Sequence, residues 1–189
     1  MDVEHAIATR RAIRRFAQRP IAHEDLRAIA NAGRMAASAG NRQPCRFLAV
    51  SQPDVVQRVH EHVGWLAGAG NPPPGAQPTA YVVILADPAV NRNYVSDCAA
   101  AAQNILLASH ARGIGGCWIG SVGRDAVRDL VHVPASLEIY AVVALGYPAE
   151  EAVAHDSTSD MAVARDDRGV VRVPKRTLDD VLRFERWKS

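Results

Sequence analysis

Hydrophobic positions along the chain follow two periods, and turn formers mark where one gives way to the other. Residues 2–15 set Val3, Ile7 and Ile13 at helical spacing with Ala6 between, and Pro20 breaks the pattern, so a first helix is expected over 2–15. From 24 to 37, Leu26, Ile29, Ala30, Gly33 and Ala37 recur at intervals of three and four, which predicts an amphipathic helix. Pro53 and Asp54 open another, with an apolar stripe of Val55, Val56, Val59, Val63 and Leu66. The strongest helix is expected over 95–112, where an Ala-rich run carries Ile105, Leu106 and Leu107 and stops at Gly113. A brief one follows over 124–131, and Thr177 caps a last one over 178–187 bearing Leu178, Val181, Leu182 and Trp187. "AYVVILAD" (80–87) and "EIYAVVALGYP" (138–148) are continuous runs of β-formers, the pattern of strands buried on both faces. "RFLAVS" (46–51) and "CWIG" (117–120) read as shorter extended pieces.

"SAGNRQP" (38–44) and "GAGNPPPGAQP" (68–78) are rich in turn formers and read as loops. Residues 149–176 show little periodicity and form a long structureless stretch for a compact unit. An arm reaching across a partner would account for it, so a homodimer is expected. Strands and helices do not alternate strictly, which argues for an α+β fold of about four strands flanked by helices and against a Rossmann fold.

Composition bounds the chemistry. A chain of 189 residues with 48% apolar and 22% charged residues suits one globular domain. A net charge of +2 gives little reason to expect a nucleic-acid partner. There is no apolar run long enough for a membrane span, and the N-terminus "MDVEHAIATRR" has acids and no apolar leader core, so a cytoplasmic chain is expected. Charge is uneven near the end: residues 149–167 hold six acids and one base, residues 168–188 seven bases and three acids. Cys45, Cys98 and Cys117 are far apart and form no CxxC pair, so buried thiols are expected rather than zinc ligands or a disulfide framework. In "HEH" (60–62) the two histidines do not share a helix face, which argues against a metal site.

Four stretches carry candidate chemistry. "TRRAIRRF" (9–16) gathers Arg10, Arg11, Arg14 and Arg15, although arginine outnumbers lysine 20 to 2 and a solvated basic face is an alternative. "GIGGCWIG" (113–120) is no dinucleotide loop, because Trp118 stands where a glycine is needed and the glycines follow a helix instead of opening one. Its glycines do permit close approach of backbone to a flat ligand, or simply a helix stop and a turn. Ser38, Asn41 and Gln43 are polar side chains on a loop, and Lys175 with Arg176 precedes a helix start, a reasonable place for an anion.

In order, "RRAIRRF", "AASAGNRQP", "DCAAAAQNILLASHARGIGGCWIG" and "ALGYP" resemble the nitroreductase family of flavin enzymes, over nearly the whole chain. The resemblance implies one FMN-binding domain over 1–189, an α+β sandwich with a mostly antiparallel sheet, and a homodimer exchanging C-terminal arms from 149 to 189. It implies FMN at the dimer interface, with Arg10 and Arg11 at the phosphate and Arg14 near the ribityl chain or pyrimidine edge. Ser38, Ala39 and Asn41, with Gln43 as a further contact, would reach the flavin from the partner. The Ile119–Gly120 backbone would lie along the ring system near N5, and Lys175 or Arg176 would close the phosphate site. The implied activity is ping-pong transfer of electrons from NADH or NADPH to a small organic acceptor such as a nitroaromatic, quinone or enone, with no catalytic side chain. Two positions depart from the family pattern: Ala12 stands where a serine is usual, losing a hydroxyl contact to the phosphate, and Cys45 stands where a tryptophan is usual. The 68–78 loop either covers the site or leaves it open. Two other classes remain: a flavin-binding carrier or redox sensor without turnover, and a basic module binding nucleic acid. Against the latter, the acidic 149–167 stretch offsets the arginines and only 5% of residues are aromatic, leaving few stacking platforms.

Overall fold

A computed structural model describes residues 1–65 and 70–187; Leu66 and the start of the 68–78 loop lie outside the described residues. Its centre is a five-stranded antiparallel sheet. Strand β2 (Cys45–Val50) pairs with β3 (Ala80–Ala86), β3 with β5 (Glu138–Pro148), and β5 carries both β4 (Gly115–Ile119) and the two-residue β1 (Phe16–Ala17) on its other side. All seven residues of β3 are buried, as the unbroken apolar run requires of a strand covered on both faces.

Side chains alternate across that strand and feed two cores. Tyr81, Val83 and Leu85 pack with Val56 and Val59 of helix α3 (Pro53–His60) and with Val127 of α5 (Arg124–Leu130). Val82 and Ile84 pack on the opposite face with Leu26 and Ile29 of α2 (His23–Arg34) and with Ala102, Ile105 and Leu106 of α4 (Val95–Ala111). The α+β sandwich expected from the sequence is therefore present, with one more strand in its main sheet.

Three expectations need correction. The first helix, α1 (Val3–Thr9), is capped by Asp2, which accepts from the His5 N–H at 2.8 Å, and it ends at Arg10, whose ψ of 126° is extended. Residues 10–15 leave the helix because they are drawn along β4: the Ile13 N–H donates to the Gly116 carbonyl at 3.1 Å, and Ala12 bridges Gly116. The 149–176 stretch is not structureless. It forms a second sheet of β6 (Ala152–Asp156), β7 (Ala164–Arg165) and β8 (Val171–Lys175), in which β6 and β8 run parallel. It also packs on its own chain, for Ala152 lies against the first core and Val170 and Val171 are buried. The last helix, α6 (Leu178–Val181), is a single turn rather than a helix to 187; Thr177 does cap it.

Candidate functional site

The arginine strip lies on the open side of β4. Ile13 points inward and is buried, Arg15 is exposed, and Arg10, Arg11, Ala12 and Arg14 are half-buried. Close approach of strip and strand depends on Gly115: a Cβ there would meet Ile13 Cβ and Cγ1 at 2.9 Å. The Arg11 guanidinium donates to the Ala8 carbonyl at 2.6 Å and to the Arg10 carbonyl, which turns it beside α1. Yet among the described residues Arg11 Nε and Arg14 Nε are buried and have no acceptor. A buried guanidinium N–H without a partner is costly, and an acceptor placed at this strip would relieve that cost.

Electrostatics agree. Burial lowers the Arg10 pKa and the neighbouring Arg11 charge lowers it further; burial also lowers that of Arg11. His110 sits beside them, 2.8 Å from the Thr9 hydroxyl, and burial followed by the charges of Arg10, His5 and Arg11 pushes its pKa down. Among the described residues no carboxylate forms an ion pair with the strip's side chains. The Glu150 side chain is buried and accepts instead from the backbone N–H groups of Arg14 at 2.5 Å and Arg15 at 3.2 Å, and it pairs with Arg165 of β7.

Next to the strip opens a cleft of about 390 Å³, lined by Arg14, Trp65, Trp118, Ile119, Gly120 and Ser121. The Ile119 side chain points into the core, so its backbone faces the cleft. A Cβ added at Gly120 would meet nothing within 4 Å, which leaves room for a flat group against this backbone. Trp118 leans on Tyr140 with ring centroids 5.9 Å apart. Trp65 is brought in by the Gly64 N–H, which donates to the Ser121 carbonyl at 2.8 Å, and among the described residues its Nε1–H is another buried donor without an acceptor.

The second group of expected site residues lies elsewhere. Ser38 Oγ accepts from the Gln43 N–H at 3.0 Å, and the buried Asp97 accepts from the Ala39 N–H at 3.0 Å and from Asn91 at 2.9 Å. These bonds hold a turn in which Gly40, Asn41 and Gln43 all have φ between 55° and 57°, and in which Ala39, Asn41 and Gln43 face outward. The turn borders a broad groove of about 1020 Å³ with Arg27, Arg34, Cys45 and Asp97 on its walls. It leads directly into β2, whereas the arginine strip lies along β4, with β3 and β5 between them. Three strand spacings amount to about 14 Å. A single chain therefore does not bring Ser38, Ala39, Asn41 and Gln43 onto the cleft of Arg14, Ile119 and Gly120. Lys175 ends β8 and Arg176 is exposed, and neither side chain makes a hydrogen bond or ion pair with another described residue.

The chain matches the family model described as "Nitroreductase family" over residues 7–147. The chain belongs to the nitroreductase family. An Archaeoglobus fulgidus protein provisionally named NADH dehydrogenase/NAD(P)H nitroreductase is 37% identical over 153 residues, 77% of this chain and 84% of that one. A provisionally named nitroreductase from Desulfovibrio desulfuricans, solved in complex with FMN, is 25% identical with a TM-score of 0.70, covering 100% of this chain and 99% of that one. The FMN-dependent nitroreductase of Clostridium difficile R20291 shares the fold at a TM-score of 0.73 and 20% identity, over 96% of this chain and 98% of its own.

Trp65, Asp97 and Glu150 were not singled out by sequence. Asp97 did carry a signal: it stands four residues before Ala101 and eight before Ile105, on the buried stripe of α4, where an acid needs a partner. Glu150 follows the end of β5 and Trp65 follows α3 with no local pattern to mark them.

Proposed function

We propose that this nitroreductase-family chain is an FMN-dependent oxidoreductase that works as a homodimer, moving electrons from NADH or NADPH to a small organic acceptor. When bound, FMN supplies hydride acceptance and onward electron transfer, and the protein supplies binding, orientation and electrostatics. The observation that carries this reading is the pair of buried Nε donors on Arg11 and Arg14 without acceptors among the described residues. A phosphate monoester satisfies both, since arginine forks match its oxygens with charge-assisted bonds.

The other residues fit the rest of such a molecule. Arg10 adds charge at the phosphate, and Ala12 lies against β4 with no hydroxyl to offer. The Ile119–Gly120 backbone forms one wall for a flat ring, with Trp65 and Trp118 excluding water. Ser38, Ala39, Asn41 and Gln43, at the opposite edge of the sheet, reach a second copy's cleft, and Lys175 or Arg176 closes the phosphate site. The exposed Leu178 (67%), Phe184 (80%) and Trp187 (69%), grouped with Val181 and Leu182 near the end of the described chain, support a C-terminal arm laid on a second copy, because grouped apolar exposure marks an interaction surface.

The test is the visible absorption of the purified protein, recorded anaerobically before and after NADH, then NADPH. A flavin band that bleaches is expected. A flavin band that persists under both reductants points to a carrier or sensor, and a protein that stays colourless after FMN is added overturns the cofactor assignment.

A further inference from the structure

Cys45 and Cys98 lie 53 positions apart, but the fold brings their sulfurs within 3.4 Å. Cys45 is the first residue of β2, half-buried, and it lines the broad groove beside the Ser38–Gln43 turn. Cys98 is in the first turn of α4 and fully buried. A disulfide requires a separation about 1.4 Å shorter. Cys117 sits apart on β4 in the other core.

We propose that Cys45 and Cys98 form a reversible thiol-oxidation site, in which Cys45 reacts with a small hydroperoxide from the groove and Cys98 resolves it as an intramolecular disulfide. The Cys45 thiolate attacks the outer peroxide oxygen, the O–O bond breaks, and an alcohol or water leaves with the proton. Cys45 is then a sulfenic acid. The Cys98 sulfur attacks the Cys45 sulfur, the S–OH bond breaks, and water leaves with the Cys98 proton. Two thiols lose two electrons and the peroxide gains them.

The roles follow from the surroundings. The Cys98 hydrogen bond holds the Cys45 thiol below its ordinary range, while the same bond and burial push Cys98 up. The attacking sulfur is thus the one that gives up its proton more readily and lines the groove. The disulfide would also tie together the two anchors of the turn: Cys45 directly follows its Pro44 end, and Cys98 adjoins Asp97, which holds the Ala39 N–H.

The experiment treats the purified protein with hydrogen peroxide, blocks remaining thiols with N-ethylmaleimide, and maps peptides by mass spectrometry. The expected result is a Cys45–Cys98 linked peptide lighter by two hydrogen atoms, restored to two thiols by dithiothreitol. In Cys98→Ser, dimedone should label Cys45. Survival of both thiols in alkylatable form, or linkage of Cys45 to another cysteine or another chain, overturns the proposal. Dimedone labelling of Cys98 in Cys45→Ser overturns the assigned order.

Discussion

Glu150 is the residue whose removal tests most about how the arginine strip is held. Its side chain is 3% exposed and serves three donors: the Arg14 N–H, the Arg15 N–H and the Arg165 guanidinium. Glu150→Ala leaves the half-buried Arg14 N–H unsatisfied, which costs about 1–3 kcal/mol. The Arg15 N–H, on an exposed residue, turns to water at little cost. The Arg165 side chain is 28% exposed, so the lost ion pair adds only about 1 kcal/mol. The sum is about 2–4 kcal/mol. Glu150→Gln keeps an oxygen for the Arg14 N–H and should recover about half of it. Urea unfolding with linear extrapolation measures both, and a double-mutant cycle with Arg165→Met isolates the ion pair. A Glu150→Ala protein within about 0.5 kcal/mol of wild type, the range of an ordinary surface change, would refute the reasoning. So would a Gln variant as unstable as the Ala variant.

Further outcomes follow from packing and titration. Gly115→Ala sets a methyl 2.9 Å from Ile13 and should destabilise by about 1–3 kcal/mol while pushing the arginine strip outward; a thermal midpoint equal to wild type would contradict the assigned close approach. Burial holds the His60 pKa below its ordinary 6.5, so the unfolded chain takes up this proton first. The stability His60 contributes is complete above pH 6.5 and is lost as pH falls through its folded value. Urea stability should therefore decline on acidification below that point, and His60→Gln should flatten the decline; an undiminished slope in the variant argues against it.

Much of the architecture was legible because the buried strands announce themselves. β3 and β5 are unbroken β-former runs, and α4 is long and Ala-rich, so tertiary packing had little to override. The first helix was overextended because Ile13 continues a helical spacing, and only its bond to Gly116, a hundred positions away, shows that the strip is extended. The second sheet was missed since β6–β8 are strands of two to five residues with Pro174 inside one of them. For the site, residue types were readable and placement was not. Nothing local tells that Ser38 and Arg14 end up at opposite edges of the sheet, or that Cys45 meets Cys98. Glu150 acts through backbone N–H groups, which leave no trace in sequence, and Asp97 is marked only as an acid on the buried stripe of α4.

The central claim is that Arg11 and Arg14 are arranged for the phosphate of FMN. It is tested most directly by equilibrium titration of the cofactor-free protein with FMN and, in parallel, with riboflavin, which has the ring system without the phosphate. Two charge-assisted bonds of about 1.5 kcal/mol or more each predict a preference for FMN of roughly a hundredfold or greater. Arg11→Ala should remove at least a tenfold part of that preference and leave riboflavin binding unchanged. Equal affinity for the two flavins in the wild-type protein would contradict the account.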